Sequence, residues 1–301
     1  MKWIIKREKW FNPSIAYFIG EDVEEGSIVV VENEKKLLFL VPLSRMDKGK
    51  FEVRRYNKKE FYKSLKKDKR IGVDFVNNSA DFIREIGKKR EVVDISEEIE
   101  KMREVKKPDE IRKIKEAEKI TKEIFEWVEG RIREGISEIE LKKMIVLKIL
   151  EMDKKPAFDP IVLFGRNSSI PHNQSGKKRL RAGEIALIDF GVKNDIYCSD
   201  ITRCFELGNK EGIYNKLILI CKELGREKTI EKVRKRAVEM MEEYGFPKLI
   251  HSIGHGIGIE VHERPYFSKF GAIKKNSVYC LEPAVYYKNF GLRYEDMFYH
   301  R

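Results

Sequence analysis

Apolar and polar positions follow two different periods along this chain, and the change of period divides it. Over residues 1–105, apolar runs of strand length (Ser27 to Val31, Leu37 to Val41, Ile71 to Phe75) alternate with polar turns. The first two flank Glu32-Asn33-Glu34 and read as a hairpin. Ser79 to Lys89 reads as a helix. From Asp109 to Ile132, Ile111, Ile114, Ala117 and Ile120 recur at helical spacing, and Pro108 punctuates the start. A second helix is predicted from Ser137, with Glu140 three residues on as a capping box, to Met152. From Pro156, glycines, histidines and strand-like runs take over (PIVLFG, IALIDFG, IYCSDITRCFEL). A helical block is predicted over about Asn215 to Tyr244. The Gly/His segment HSIGHGIGIEVHERP and two strands, SVYCLEPAVYY and GLRYEDMFYH, complete the pattern. The expected fold class is α/β (α+β), in two domains covering 1–105 and 106–301.

Composition narrows the function classes. With 42% hydrophobic residues in 301, there is enough apolar material for a core in each of two domains. No apolar run approaches the ~20 residues needed to cross a bilayer, and MKWIIKREKW lacks the apolar stretch of a secretory signal. The expectation is a cytoplasmic protein with no membrane association. A net charge of +12 raises nucleic acid as a partner. Yet basic residues are interleaved with Glu, as in KKPDEIRKIKEAEKITKEIFEWVEG, and the basic patches are short, which is the pattern of a solvated face. The four cysteines (Cys198, Cys204, Cys221, Cys280) include no CxxC pair, so a structural zinc site is not expected and the thiols read as free and buried. Of five histidines, His251, His255 and His262 fall within twelve residues.

Candidate chemistry lies in four acids. Asp189 sits in IALIDFGV and Asp200 in IYCSDITRCF, either side of the turn-like Lys193-Asn194-Asp195. A two-residue turn at Asn194-Asp195 would place the two aspartates directly opposite, with Cβ atoms about 4.5–5.5 Å apart. Glu282 in VYCLEPAVYY and Glu295 in GLRYEDMFY repeat the arrangement around a turn at Lys288-Asn289. Carboxylates that close, inside apolar strands, call for a cation or a shared proton. Hard oxygen donors in this number suit divalent cations. An imidazole added to the set favours Mn, Fe, Co or Zn over Mg or Ca. GHGIG supplies one in His255, between glycines that let a backbone approach closely. The segment matches neither GxGxxG nor HExxH.

These motifs carry a resemblance. FDPIVLFGRNSSIPH, LIDFGVKNDIYCSDITR, HSIGHGIGIEVHERP, LEPAVYY and GLRYED, over about residues 157–296, resemble the pita-bread metallopeptidases, which include methionine aminopeptidases, Xaa-Pro aminopeptidases and Xaa-Pro dipeptidases. The lead-in REVKKPDEIRKIKEAEKIT looks like the Xaa-Pro branch. The N-terminal region resembles a shortened creatinase-type domain without its opening helix. The final strand reads as clipped six residues after Glu295, and Ala284 stands where the family commonly has glycine.

The resemblance implies that Asp189 binds one metal, Asp200 and Glu295 bridge two, and His255 and Glu282 hold the other. His172 and His262 would contact substrate, Glu282 would also pass a proton, and His251 and Arg293 would support the site. It further implies cleavage of Xaa-Pro bonds in dipeptides or peptide N-termini by a hydroxide held between two divalent cations (Mn, Co, Fe or Zn). The implied partners are a peptide with proline at its second position and, as a homodimer, a second copy of the chain. Three readings compete. A methionine aminopeptidase-like enzyme fits less well, given about a hundred additional N-terminal residues. A creatinase-like hydrolase would lack the full ligand set, and a non-catalytic binding protein would not need it.

Overall fold

A computed structural model describes residues 1–8, 11–41, 52–206 and 208–301. They form two compact units, Met1–Arg103 and Glu104–Arg301.

The first unit is built on a six-stranded mixed sheet. Its order is Glu52–Arg55, Lys35–Leu40, Ile28–Glu32, Lys2–Lys6, Arg70–Val73, Glu91–Asp94. The runs IVVV and LLFL are continuously apolar because this sheet is covered on both faces. Side chains alternate across a strand, so Ile5, Val29, Val31 and Leu38 feed one core while Ile4, Ile28, Val30 and Phe39 feed the other. The predicted hairpin is present, with Asn33 in the left-handed region at φ 54°. A helix also stands at Pro13–Ile19, where the sequence pattern predicts none. Asn12 caps it by accepting from the Ile15 N–H, and a proline in its first turn has its φ already set.

The second unit has two halves of similar design. In one, the helices Pro108–Glu129 and Glu138–Glu151 pack through Ile124, Phe125, Leu141 and Ile145 onto a three-stranded sheet. That sheet is Ile161–Phe164, Ala186–Phe190 and Ile201–Phe205. The capping box at Ser137 and Glu140 forms as expected. In the other half, Glu211–Leu224 and Ile230–Glu243 pack through Leu217, Ile220, Val233 and Met240 onto the C-terminal strands. The helical block predicted over Asn215 to Tyr244 is therefore two helices. Thr229 caps the second by accepting from the Lys232 N–H. The last predicted strand run forms two strands, Phe290–Arg293 and Asp296–Tyr299, the second paired with Val278–Leu281. Helices cover the outside of each half, and the halves meet along their inner strands, where the Glu295 N–H donates to the Thr202 carbonyl at 3.2 Å. Among the described residues, no helix is long and apolar enough to cross a membrane.

Candidate metal centre

Both acid-bearing hairpins end at this inner seam. In the C-terminal one the turn is at Lys288-Asn289: Tyr287 pairs with Phe290 and Ala284 with Arg293. The same register resumes beyond a gap, where Leu281 pairs with Asp296. Glu282 and Glu295 thus face each other in the break between two ladders.

The other hairpin corrects the expected register. Asn194 pairs with Tyr197, so the turn is Asp195-Ile196, and Asp189 lies opposite Thr202 rather than Asp200. A one-residue shift of the turn moves the register by two. Side chains have a period of two, so Asp189 and Asp200 keep a common face as diagonal neighbours. Asp195 takes the left-handed conformation this turn needs, φ 53°.

His255 lies mid-strand in Gly254–Gly256, between Glu263–Tyr266 and Val278–Leu281. A Cβ at Gly256 would stand 2.2 Å from the Arg264 backbone, and one at Gly254 2.2 Å from the Cys280 carbonyl. The flanking glycines therefore let three strands close on the imidazole.

The donors converge. Among the described residues, Asp189, Asp200 and Glu295 offer oxygens within 4.8 Å of one another, as do donor atoms of Asp200, His255 and His262, and of His255, Cys280 and Glu295. His255 Nε2 lies 3.4 Å from Glu295 and 3.6 Å from Asp200. Glu282 stands at the edge, with Oε2 3.7 Å from His251 Nδ1. His172 is exposed, but close enough to His251 and His262 to disfavour protonation of both.

The electrostatics are those of acids crowded out of water. Burial, offset by Arg293 and reinforced by Glu295, raises Asp189 to about 6. Burial with Glu295 and Asp189 raises Asp200 well above the carboxylate range. Burial with Glu295 lifts Glu282 to about 8. Burial opposes ionisation of Glu295 too, but His255, Arg293 and Thr202 together hold it below its ordinary value. Burial and the neighbouring His255 push His262 down to about 4, and burial also lowers His251.

Three buried oxygens, Asp189 Oδ1, Asp200 Oδ1 and Glu295 Oε1, have no hydrogen-bond partner. Leaving such atoms unmatched is costly. Three such carboxylates with donor oxygens this close together, and an imidazole beside two of them, fit divalent cations.

Around the acids runs a chain of hydrogen bonds. Arg293, 3% exposed, donates to Asp189 Oδ2 at 2.5 Å, to Thr202 Oγ1 at 3.1 Å and to the Tyr286 hydroxyl at 3.1 Å. His251 Nδ1 is 2.7 Å from the Ser252 carbonyl, which can only accept, so the proton is on Nδ1 and Nε2 accepts from Tyr286 at 2.9 Å. Thr202 Oγ1 in turn donates to Glu295 Oε2 at 2.8 Å. Thr202 and Tyr286 are absent from the residues singled out by sequence, and Cys280 was read there only as a free, buried thiol. Period-two spacing from Asp200 and Glu282 is the signal that could have found them.

Known proteins share this architecture. A family model described as metallopeptidase family M24 matches residues 112–301, and one for the creatinase/prolidase N-terminal domain matches 8–105. A Xaa-Pro dipeptidase of Pyrococcus horikoshii is 29% identical over 95% of this chain and 87% of its own length. An uncharacterised peptidase of Methanocaldococcus jannaschii is 32% identical over 98% and 86%. The solved prolidase from Pyrococcus furiosus superposes with a TM-score of 0.88 at 27% identity, covering 100% of this chain and 94% of that one. An X-Pro aminopeptidase from Thermotoga maritima gives 0.88 at 27%, covering 98% and 91%.

Proposed function

We propose, from the premise that the chain belongs to metallopeptidase family M24, that it hydrolyses the bond before proline in dipeptides or at peptide N-termini, using two divalent cations. The observation that carries this reading is the cluster of buried carboxylates Asp189, Asp200 and Glu295, each with an oxygen that has no hydrogen-bond partner, with His255 beside Asp200 and Glu295. Asp189 would hold one cation and His255 with Glu282 the other, with Asp200 and Glu295 shared between them. Cations so held supply an acidified water and polarise the scissile carbonyl.

The chain's own groups do the rest. The hydrogen bonds from Arg293 and Thr202 fix the ligand carboxylates Asp189 and Glu295 in orientation. His262, neutral at pH 7 by its lowered value, offers one N–H to the substrate oxygen as charge develops. His172 would do the same from the loop after Gly165–Ser169. Glu282 would pass a proton to the leaving nitrogen. A proline nitrogen carries no hydrogen in the peptide, so its recognition rests on shape rather than on an acceptor.

Chelated protein is expected to be inactive on Ala-Pro and to regain activity with Mn or Co. Ala-Pro is expected to be cleaved far better than Ala-Ala. Full turnover in verified metal-free protein would refute the metal chemistry, and equal efficiency on the two dipeptides would refute the proline preference. Comparing Ala-Pro with longer Xaa-Pro peptides separates dipeptidase from aminopeptidase.

A further inference from the structure

We infer that Lys106 and Glu263 form a positioning pair that sets His262 against the metal centre; this rests on the reading of His262 as a substrate-facing donor. Residues 257–262 belong to no helix or strand, and backbone hydrogen bonds tie down their start, from the Ile257 N–H to the Val278 carbonyl at 3.1 Å and from the Cys198 N–H to the Gly258 carbonyl at 2.7 Å. A buried carboxylate ties down the residues that follow, nearer His262. Glu263 Oε2 accepts from the backbone N–H groups of Ile259 at 3.1 Å and Glu260 at 3.2 Å, closing the loop from within. Its Oε1 meets Lys106 Nζ at 2.7 Å, with the two side chains 4% and 2% exposed. A Cβ at Gly258 would stand 2.3 Å from Glu263 Oε1 and 3.0 Å from Lys106 Cε, so the loop can wrap this pair only with glycine there. Lys106 is itself anchored, its N–H donating to the Asn276 carbonyl at 3.0 Å. His262 immediately precedes Glu263. Its ring sits edge-on to His255 at 4.2 Å between centroids, with a nitrogen in reach of Asp200.

A buried ion pair is a poor source of stability compared with apolar residues of similar volume. What this one supplies is a fixed path for the irregular segment that carries His262. Small displacements of such a group, about 1 Å, lower a rate by up to about 10²-fold.

The decisive variant is Lys106→Met with Glu263→Gln, which removes both charges at similar volume; Lys106→Met alone leaves Glu263 buried without its lysine. In metal-loaded enzyme the double variant is expected to keep its cation content and melting temperature while kcat on Ala-Pro falls about 10–100-fold with KM little changed. Made in a His262→Ala background, the same double substitution is expected to lower kcat no further, because groups acting through one residue are not additive. Wild-type kcat in the loaded double variant, or a full extra loss in the His262→Ala background, overturns the pairing. Loss of cations or melting below the assay temperature marks the pair as structural and also overturns it. If His262→Ala alone keeps wild-type kcat, the underlying reading of His262 falls first and the inference with it.

Discussion

Asp200→Asn is expected to strip at least one divalent cation from the protein and to lower kcat on a proline dipeptide by about 10³-fold, roughly 4 kcal/mol of transition-state stabilisation. Asp200 is 4% exposed, and it belongs to two of the three donor groups, with Asp189 and Glu295 on one side and His255 and His262 on the other. Its Oδ1 has no hydrogen-bond partner, so the substitution breaks no structural contact made by that atom. Asparagine keeps the shape and removes the charge. Two positive ions then face one fewer anion in a buried site, where charge counts for more than it does in water. Elemental analysis of the purified variant is the measurement. Two ions still bound would sink the assignment of Asp200 as the shared ligand, whatever the activity.

His262→Ala and His172→Ala are each expected to lower kcat by about 10²–10³-fold with both cations retained, the usual loss when one donor to a developing oxyanion is removed. Neither imidazole is needed to complete the proposed ligand set. His262 projects beside His255, and its lowered value keeps it neutral, so removing it takes away a hydrogen-bond donor and no net charge at pH 7. His172 sits on the exposed loop after the short 3₁₀ turn Gly165–Ser169. A variant that loses metal or melts early has lost a structural residue. One that keeps metal and near-normal kcat was never a substrate contact.

Much of the site was legible because it follows from counting. The turn at Lys288-Asn289 sets Glu282 opposite Glu295, and the ladders on both sides keep that register. At the other hairpin, Asn194 and Asp195 are both good turn residues, so local preference could not choose between two turns. The choice is made from a distance: Asn194 is buried and its amide donates to the Lys113 carbonyl at 3.4 Å, in the helix Pro108–Glu129. Only the parity survived, and parity was enough to put both aspartates on one face.

The break between the helices Glu211–Leu224 and Ile230–Glu243 was hidden for the same kind of reason. Gly225 lies against the Phe298 ring, a neighbour supplied by the last strand rather than by the helical pattern. The bond from Arg293 to Asp189 was equally out of reach, since the two are 104 residues apart in sequence. Sequence spacing finds donors that share an element. It does not find the hydrogen bonds that hold them from other elements.

The pairing of acids within hairpins also has a consequence in time. Asp189 and Asp200 close over a short loop, as do Glu282 and Glu295, and hairpins form within about 1–10 μs. Joining the two halves is slower, because it brings together residues as distant as Thr202 and Glu295, 93 apart. The full set of donors therefore exists only after that long-range docking. Ions that recognise the finished set stabilise the native state and leave the barrier's near side untouched. They should act as a latch, leaving the rate of folding unchanged and stretching the lifetime of the folded chain.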